Sequence, residues 1–81
     1  MDARETTLAL LAARAEDATV CPSEVARVLA AATGEWRDAM PEVHAAVDQL
    51  EADGLVRLSW KGRPLATRAG PYRIAWGGGR R

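Results

Sequence analysis

The sequence predicts an α+β fold, three helices followed by a β-hairpin, on three observations. Apolar residues recur at helical spacing in three stretches ahead of Gly54, each with a start or stop signal. Apolar and polar residues then alternate over Leu55–Trp60 and again over Tyr72–Trp76. Between those two runs lies a segment punctuated by Gly62, Pro64 and Gly70, as a connection between strands should be.

The first helix is expected from about Ala3 to Ala15. Asp2 and Glu5 have the spacing of a capping box, and Leu8, Leu11, Ala12 and Ala15 fall on one face. Glu16-Asp17 suits a helix terminus poorly, because the dipole there repels carboxylates. Ala18-Thr19-Val20 favours an extended chain and is a candidate third strand. Pro22 marks the next start, with Cys21 as N-cap and Glu24 at the third position. Val25, Val28, Leu29 and Ala32 read as its buried stripe, and Gly34 as its left-handed stop. Pro41 marks the first turn of the third helix, with a helical turn over Trp36–Met40 as the open alternative. Met40, Val43, Val47 and Leu50 form its apolar face, and Gly54 ends it.

In the hairpin, Val56, Leu58 and Trp60 alternate to one face and pair with Tyr72, Ile74 and Trp76. That face packs on the helices, since an isolated hairpin is marginal in water. Trp60 and Trp76 are accordingly read as core. Gly77–Arg81 reads as a flexible tail after a single domain over residues 1–76. Three helices, a short extended piece and a terminal hairpin occur in the order of a winged helix. The second and third helices would form its helix-turn-helix and the hairpin its wing.

Composition narrows the function classes. The chain has 81 residues and a formal net charge of zero, but the charge is divided. Residues 1–56 hold four arginines and all eleven carboxylates, a balance of −7. Residues 57–81 hold no carboxylate and seven cations, a balance of +7. No apolar run approaches the roughly 20 residues of a membrane span. The opening Met-Asp-Ala-Arg-Glu lacks the basic and apolar regions of a secretory leader, so a cytoplasmic location is expected. One cysteine makes no internal disulfide and suggests no zinc site. No cofactor is expected.

The stretches CPSEVAR (21–27), WR with MPEV (36–43), and KGRP (61–64) with GPYR (70–73) resemble the small bacterial family catalogued as domain of unknown function 3253. The resemblance spans about Leu8 to Trp76. It implies a winged-helix-like fold and no established activity. In that family an arginine usually follows the valine at 43, and Val-Asp-Pro usually follows KGRP. Here His44 and Leu65-Ala66-Thr67 stand instead, so an anion site built on that arginine does not carry over.

Nucleic-acid binding through the basic wing is the favoured expectation. Arg57, Lys61, Arg63, Arg68 and Arg73 are its candidate phosphate contacts, with Lys61 and Arg63 at the tip. The alternative is that these cations pair with the acidic half of the same chain. Residues 41–53 carry Glu42, Asp48, Glu51 and Asp53 and no cation, a balance of −4, which opposes ordinary major-groove reading. Gln49 is the one conventional base reader there, and Arg37 at the helix start the one offsetting cation. The rival reading is a protein-interaction or dimerisation module, with Trp36 as an exposed anchor. An enzyme is not expected. Cys21 and His44 are the only candidates for a nucleophile–base pair, and capping alone explains Cys21.

Overall fold

The computed structural model describes residues 2–68 and 70–77. Three helices, α1 (Ala3–Ala12), α2 (Pro22–Leu29) and α3 (Trp36–Ala52), precede three strands, β1 (Val56–Trp60), β2 (Arg63–Leu65) and β3 (Arg73–Trp76). The strands form one antiparallel sheet in the order β2-β1-β3. The fold is α+β, and its element order is consistent with a winged-helix-like arrangement. Among the described residues no helix is long and apolar enough to cross a membrane.

α1 opens with the expected box: the Glu5 amide donates to Asp2 Oδ1 at 2.8 Å, and the Asp2 amide to Glu5 Oε1 at 3.2 Å. It stops at Ala12, short of the expected Ala15, and its buried face is Ala3, Thr6, Thr7 and Leu11. Ala12 and Ala15 are exposed, and Leu8 is only half-buried. Periodicity misplaced the face because it scored the threonines as polar. Thr7 is accommodated in the core by donating its hydroxyl to the Ala3 carbonyl at 2.8 Å.

α2 is shorter than its apolar pattern suggested. Val25 and Ala26 are fully buried, Leu29 is partly buried, and Val28 is 49 % exposed. Ala32, the last residue of the expected stripe, lies beyond the helix and is exposed. Gly34 adopts φ +76°, as anticipated for the stop. α3 begins at Trp36, so the turn before Pro41 is helical and Pro41 lies inside the helix. Val43, Val47 and Leu50 are completely buried.

The sheet differs from a two-stranded hairpin. β1 does pair with β3 as expected, Val56 opposite Trp76 and Leu58 opposite Ile74. The supposed loop, however, holds β2, which folds back on β1 with Trp60 opposite Arg63. The two residues between, Lys61 (φ 52°) and Gly62 (φ 80°), both have positive φ, the requirement of the tight hairpin turn that matches strand twist. Pro64 is tolerated because β2 is an edge strand. Val20 joins as a single antiparallel bridge to Ile74, with bonds of 2.8 and 2.9 Å in the two directions. The core gathers Leu11, Val20, Val25, Val43, Val47, Leu50, Leu58 and Ile74 between sheet and helices. Gly77, expected to begin the tail, is buried and donates its amide to the Leu55 carbonyl at 2.9 Å. Gly78–Arg81, the rest of that tail, lie outside the described residues.

Candidate functional site

Strand alternation sorts the basic residues before any contact is considered. Arg57 and Arg73 point to the outer face of the sheet, opposite the Leu58–Ile74 layer. Arg63 faces Trp60 across the ladder, on the same side as Leu58. At that end the sheet has passed the helices. Trp60, expected in the core, is 38 % exposed. Alternation identified its face correctly but could not show that the strand outruns the packing beneath it.

The wing tip is therefore aromatic as well as basic. Lys61 Nζ stands 6.0 Å from the Trp60 ring centroid, at the outer limit of a cation–π contact. Lys61, Gly62, Arg63 and Pro64 are all exposed. Neither Lys61 nor Arg63 makes an ion pair among the described residues. Arg57 makes none either, and it borders an open hollow of about 340 Å³ on the outer sheet face beside Thr19, Ser59 and Pro64.

The other candidates are committed elsewhere. Arg68 grips Asp48 of α3 with two parallel bonds, Nε to Oδ1 at 3.0 Å and Nη2 to Oδ2 at 2.9 Å. Those bonds hold the Asp48 carboxyl below its ordinary range. Arg73 donates its Nε to Thr19 Oγ1 at 2.9 Å, and its charge contributes to holding Glu24 ionised. Gln49, the candidate base reader, accepts from Arg4 Nη1 at 3.2 Å, while Arg4 also pairs with Asp53 at 3.0 Å. Arg37 is exposed at the start of α3, its guanidinium carbon 4.5 Å from the Trp36 ring centre. Of the seven candidates, Lys61 and Arg63 lie together at the tip, and Arg57 and Arg73 share the outer face of β1 and β3.

Sequence reasoning missed a second feature. Along α3, Trp36, Met40 and His44 follow at four-residue intervals and form one wall of an apolar groove of about 260 Å³. Pro22 at the start of α2 faces them, and Pro71 and Tyr72 close the third side. Each of the three stretches supplies only three residues, so no local pattern announces the groove. His44 Nδ1 lies 2.7 Å from the Tyr72 hydroxyl. Burial lowers the His44 pKa, with the Arg68 charge adding to it, so the ring is neutral near pH 7. Burial also pushes the Tyr72 hydroxyl up to about 12. Tyr72 thus keeps its proton and shares a hydrogen bond with His44 Nδ1, whose direction is set by the imidazole tautomer.

Cys21 and Ser23 stand 3.1 Å apart, sulfur to oxygen, at the groove's edge. The Cys21 amide donates to Glu24 Oε2 at 2.8 Å, and Arg14 clamps the same carboxylate from 2.7 Å. The Arg14 bond, followed by that amide, lowers the Glu24 pKa to about 2. This corner is accounted for as a helix cap. Among the described residues no cluster of three or more potential metal ligands occurs.

No curated protein matches this chain in sequence. A family match runs across all three helices and the whole sheet, from residue 1 to residue 77. The chain belongs to the family described as protein of unknown function (DUF3253).

Proposed function

We propose that this domain binds nucleic acid weakly, without strict sequence preference, through the tip of its wing, on a winged-helix frame in the cytoplasm. The observation that carries the reading is Trp60, an exposed aromatic ring flanked by Lys61 and Arg63 on a rigid two-residue turn. An aromatic face offers a base a stacking surface worth about 1–3 kcal/mol, and adjacent cations track the phosphates. This combination favours single strands over closed duplex, because only an unpaired base exposes its face.

α3 contributes little to the contact. Its Asp48 is engaged by Arg68 and its Gln49 by Arg4, and the exposed Glu42 repels a phosphate groove. The test is fluorescence anisotropy with labelled single-stranded and duplex oligonucleotides of random sequence. We expect tighter binding to the single strand and quenching of Trp60. Absence of binding at low salt would sink the reading. It would leave the rival, a protein-interaction or self-association module, with the exposed Trp60 as its anchor in place of Trp36, which is partly buried against the core.

A further inference from the structure

The hollow of about 340 Å³ on the outer sheet face holds groups that no internal contact uses. It exists because the residues around Arg57 on that face are small: Ser59 follows on β1, and Ala75 stands opposite Arg57 on β3. The exposed Arg57 side chain makes no ion pair or hydrogen bond among the described residues. Asp17, in the turn after α1, lines the same hollow and is exposed and unpaired in the same sense. One hollow therefore offers a charged donor and a charged acceptor, each held by its own element. Two hydroxyls lie with them. Thr19 Oγ1 accepts from Arg73 Nε at 2.9 Å, so its own O–H remains available to a ligand, and Ser59 supplies the second. Gly62 of the wing turn and Pro64 of the edge strand β2 complete the lining, which makes the hollow continuous with the wing tip.

From this arrangement we infer that the strand held at the wing tip is RNA, and that the hollow reads the ribose of a neighbouring nucleotide. A strand with one base stacked on Trp60 reaches the hollow by rounding β2 past Gly62 and Pro64. Its phosphodiester there meets Arg57 and the Thr19 and Ser59 hydroxyls, all of which donate to an oxyanion. The same donors would suit DNA equally well. Asp17 makes the difference, because a carboxylate accepts from a 2′-hydroxyl and repels a phosphate. RNA offsets that repulsion with a hydrogen bond, and DNA does not. The open form of the hollow also suits a polymer laid along the surface better than an enclosed small molecule. This inference rests on the wing-tip reading and narrows it from single strands in general to ribonucleotide strands.

The test uses the whole protein and three single strands of one sequence: RNA, DNA and 2′-O-methyl RNA. The methylated strand keeps the 2′-oxygen but cannot donate from it. Anisotropy titrations should show RNA bound roughly tenfold more tightly than DNA, with the methylated strand close to DNA. Asp17→Ala should bring RNA and DNA to roughly equal affinity, and its binding of DNA would show that the variant is folded. Arg57→Gln should weaken all three strands and lower the salt slope by about 0.7, while keeping the preference for RNA. Equal binding of RNA and DNA by the parent would overturn the inference and leave the wing-tip contact standing. So would a preference that survives Asp17→Ala, or methylated RNA bound as tightly as RNA. Failure of all three strands to bind at low salt would instead remove the wing-tip reading, and this inference with it.

Discussion

The Thr6 hydroxyl is buried in α1 and has no hydrogen-bond partner among the described residues. A buried hydroxyl without a partner costs about 1–3 kcal/mol. Thr6→Val keeps the shape and removes the polar atom, so it should raise stability by about 1 kcal/mol in chemical denaturation. Glu24 gives the opposite case. Its pKa falls from 4.5 to about 2 on folding, chiefly through Arg14 and then the Cys21 amide. A depressed carboxylate pKa contributes stability that is complete above 4.5 and is lost as pH falls toward 2. The Glu24 side chain is 38 % exposed, so solvent screening reduces its share to about 1 kcal/mol. Glu24→Gln should remove that part of the acid dependence, measured as the loss of slope in stability between pH 4.5 and 2. His44 acts with the same sign in a higher pH window. Its pKa lies below 6.5 in the fold, so the unfolded chain takes up the proton first and stability declines as pH drops below 6.5. A His44 NMR titration midpoint below 6.5 is expected, and one above it would refute the buried Tyr72–His44 pair. Of these three effects only the Cys21–Glu24 cap bond was legible in the sequence. Thr6 depends on what the fold leaves without a partner, and the other two on groups brought together from a distance, Arg14 being 10 residues from Glu24 and Tyr72 28 from His44.

Elements with a strong local signal were legible, and those set by tertiary fit were not. The Asp2–Glu5 and Cys21–Glu24 caps and the Gly34 and Gly54 stops are encoded within four residues, and all four occur. The start of α3 was left open between Trp36 and Pro41, because Pro41 resembles a beginning, and the earlier start is the one that occurs. Trp36 and Met40 instead pack one turn earlier and keep the helix intact around it. β2 was missed because Pro64 reads as a break, which is true only for a central strand. The wing turn yields a test that separates folding from binding. Gly62 needs φ +80°, so Gly62→Ala should cost about 1 kcal/mol. Lys61→Asn suits the positive φ of 52° and removes the charge, so it should preserve stability while weakening nucleic-acid binding. Thermal melts of the two variants alongside binding assays make the comparison. Equal binding by Lys61→Asn and the parent would remove Lys61 from the interface.

At the scale of the molecule, the opposed charges of the two halves are only partly consumed internally. Among the described residues Arg68–Asp48 is the ion pair that joins the two halves, whereas Arg14–Glu24 and Arg4–Asp53 both lie within the acidic half. The wing tip stays outside these pairs. The sheet is closed below by Gly77, where a Cβ would come 2.5 Å from the Gly54 carbonyl oxygen. Gly77→Ala should therefore destabilise the whole domain by about 1–3 kcal/mol. The wing-tip contact, the central functional reading, is tested most directly by the salt dependence of oligonucleotide binding. The slope of log affinity against log salt would be compared for the parent, Lys61→Asn/Arg63→Gln and Arg68→Gln. On single strands each neutralised phosphate contributes about −0.7. The parent should show about −2, the tip variant should lose about 1.4 of that slope, and Arg68→Gln should match the parent. A slope of zero in the parent, or one unchanged in the tip variant, would contradict the account.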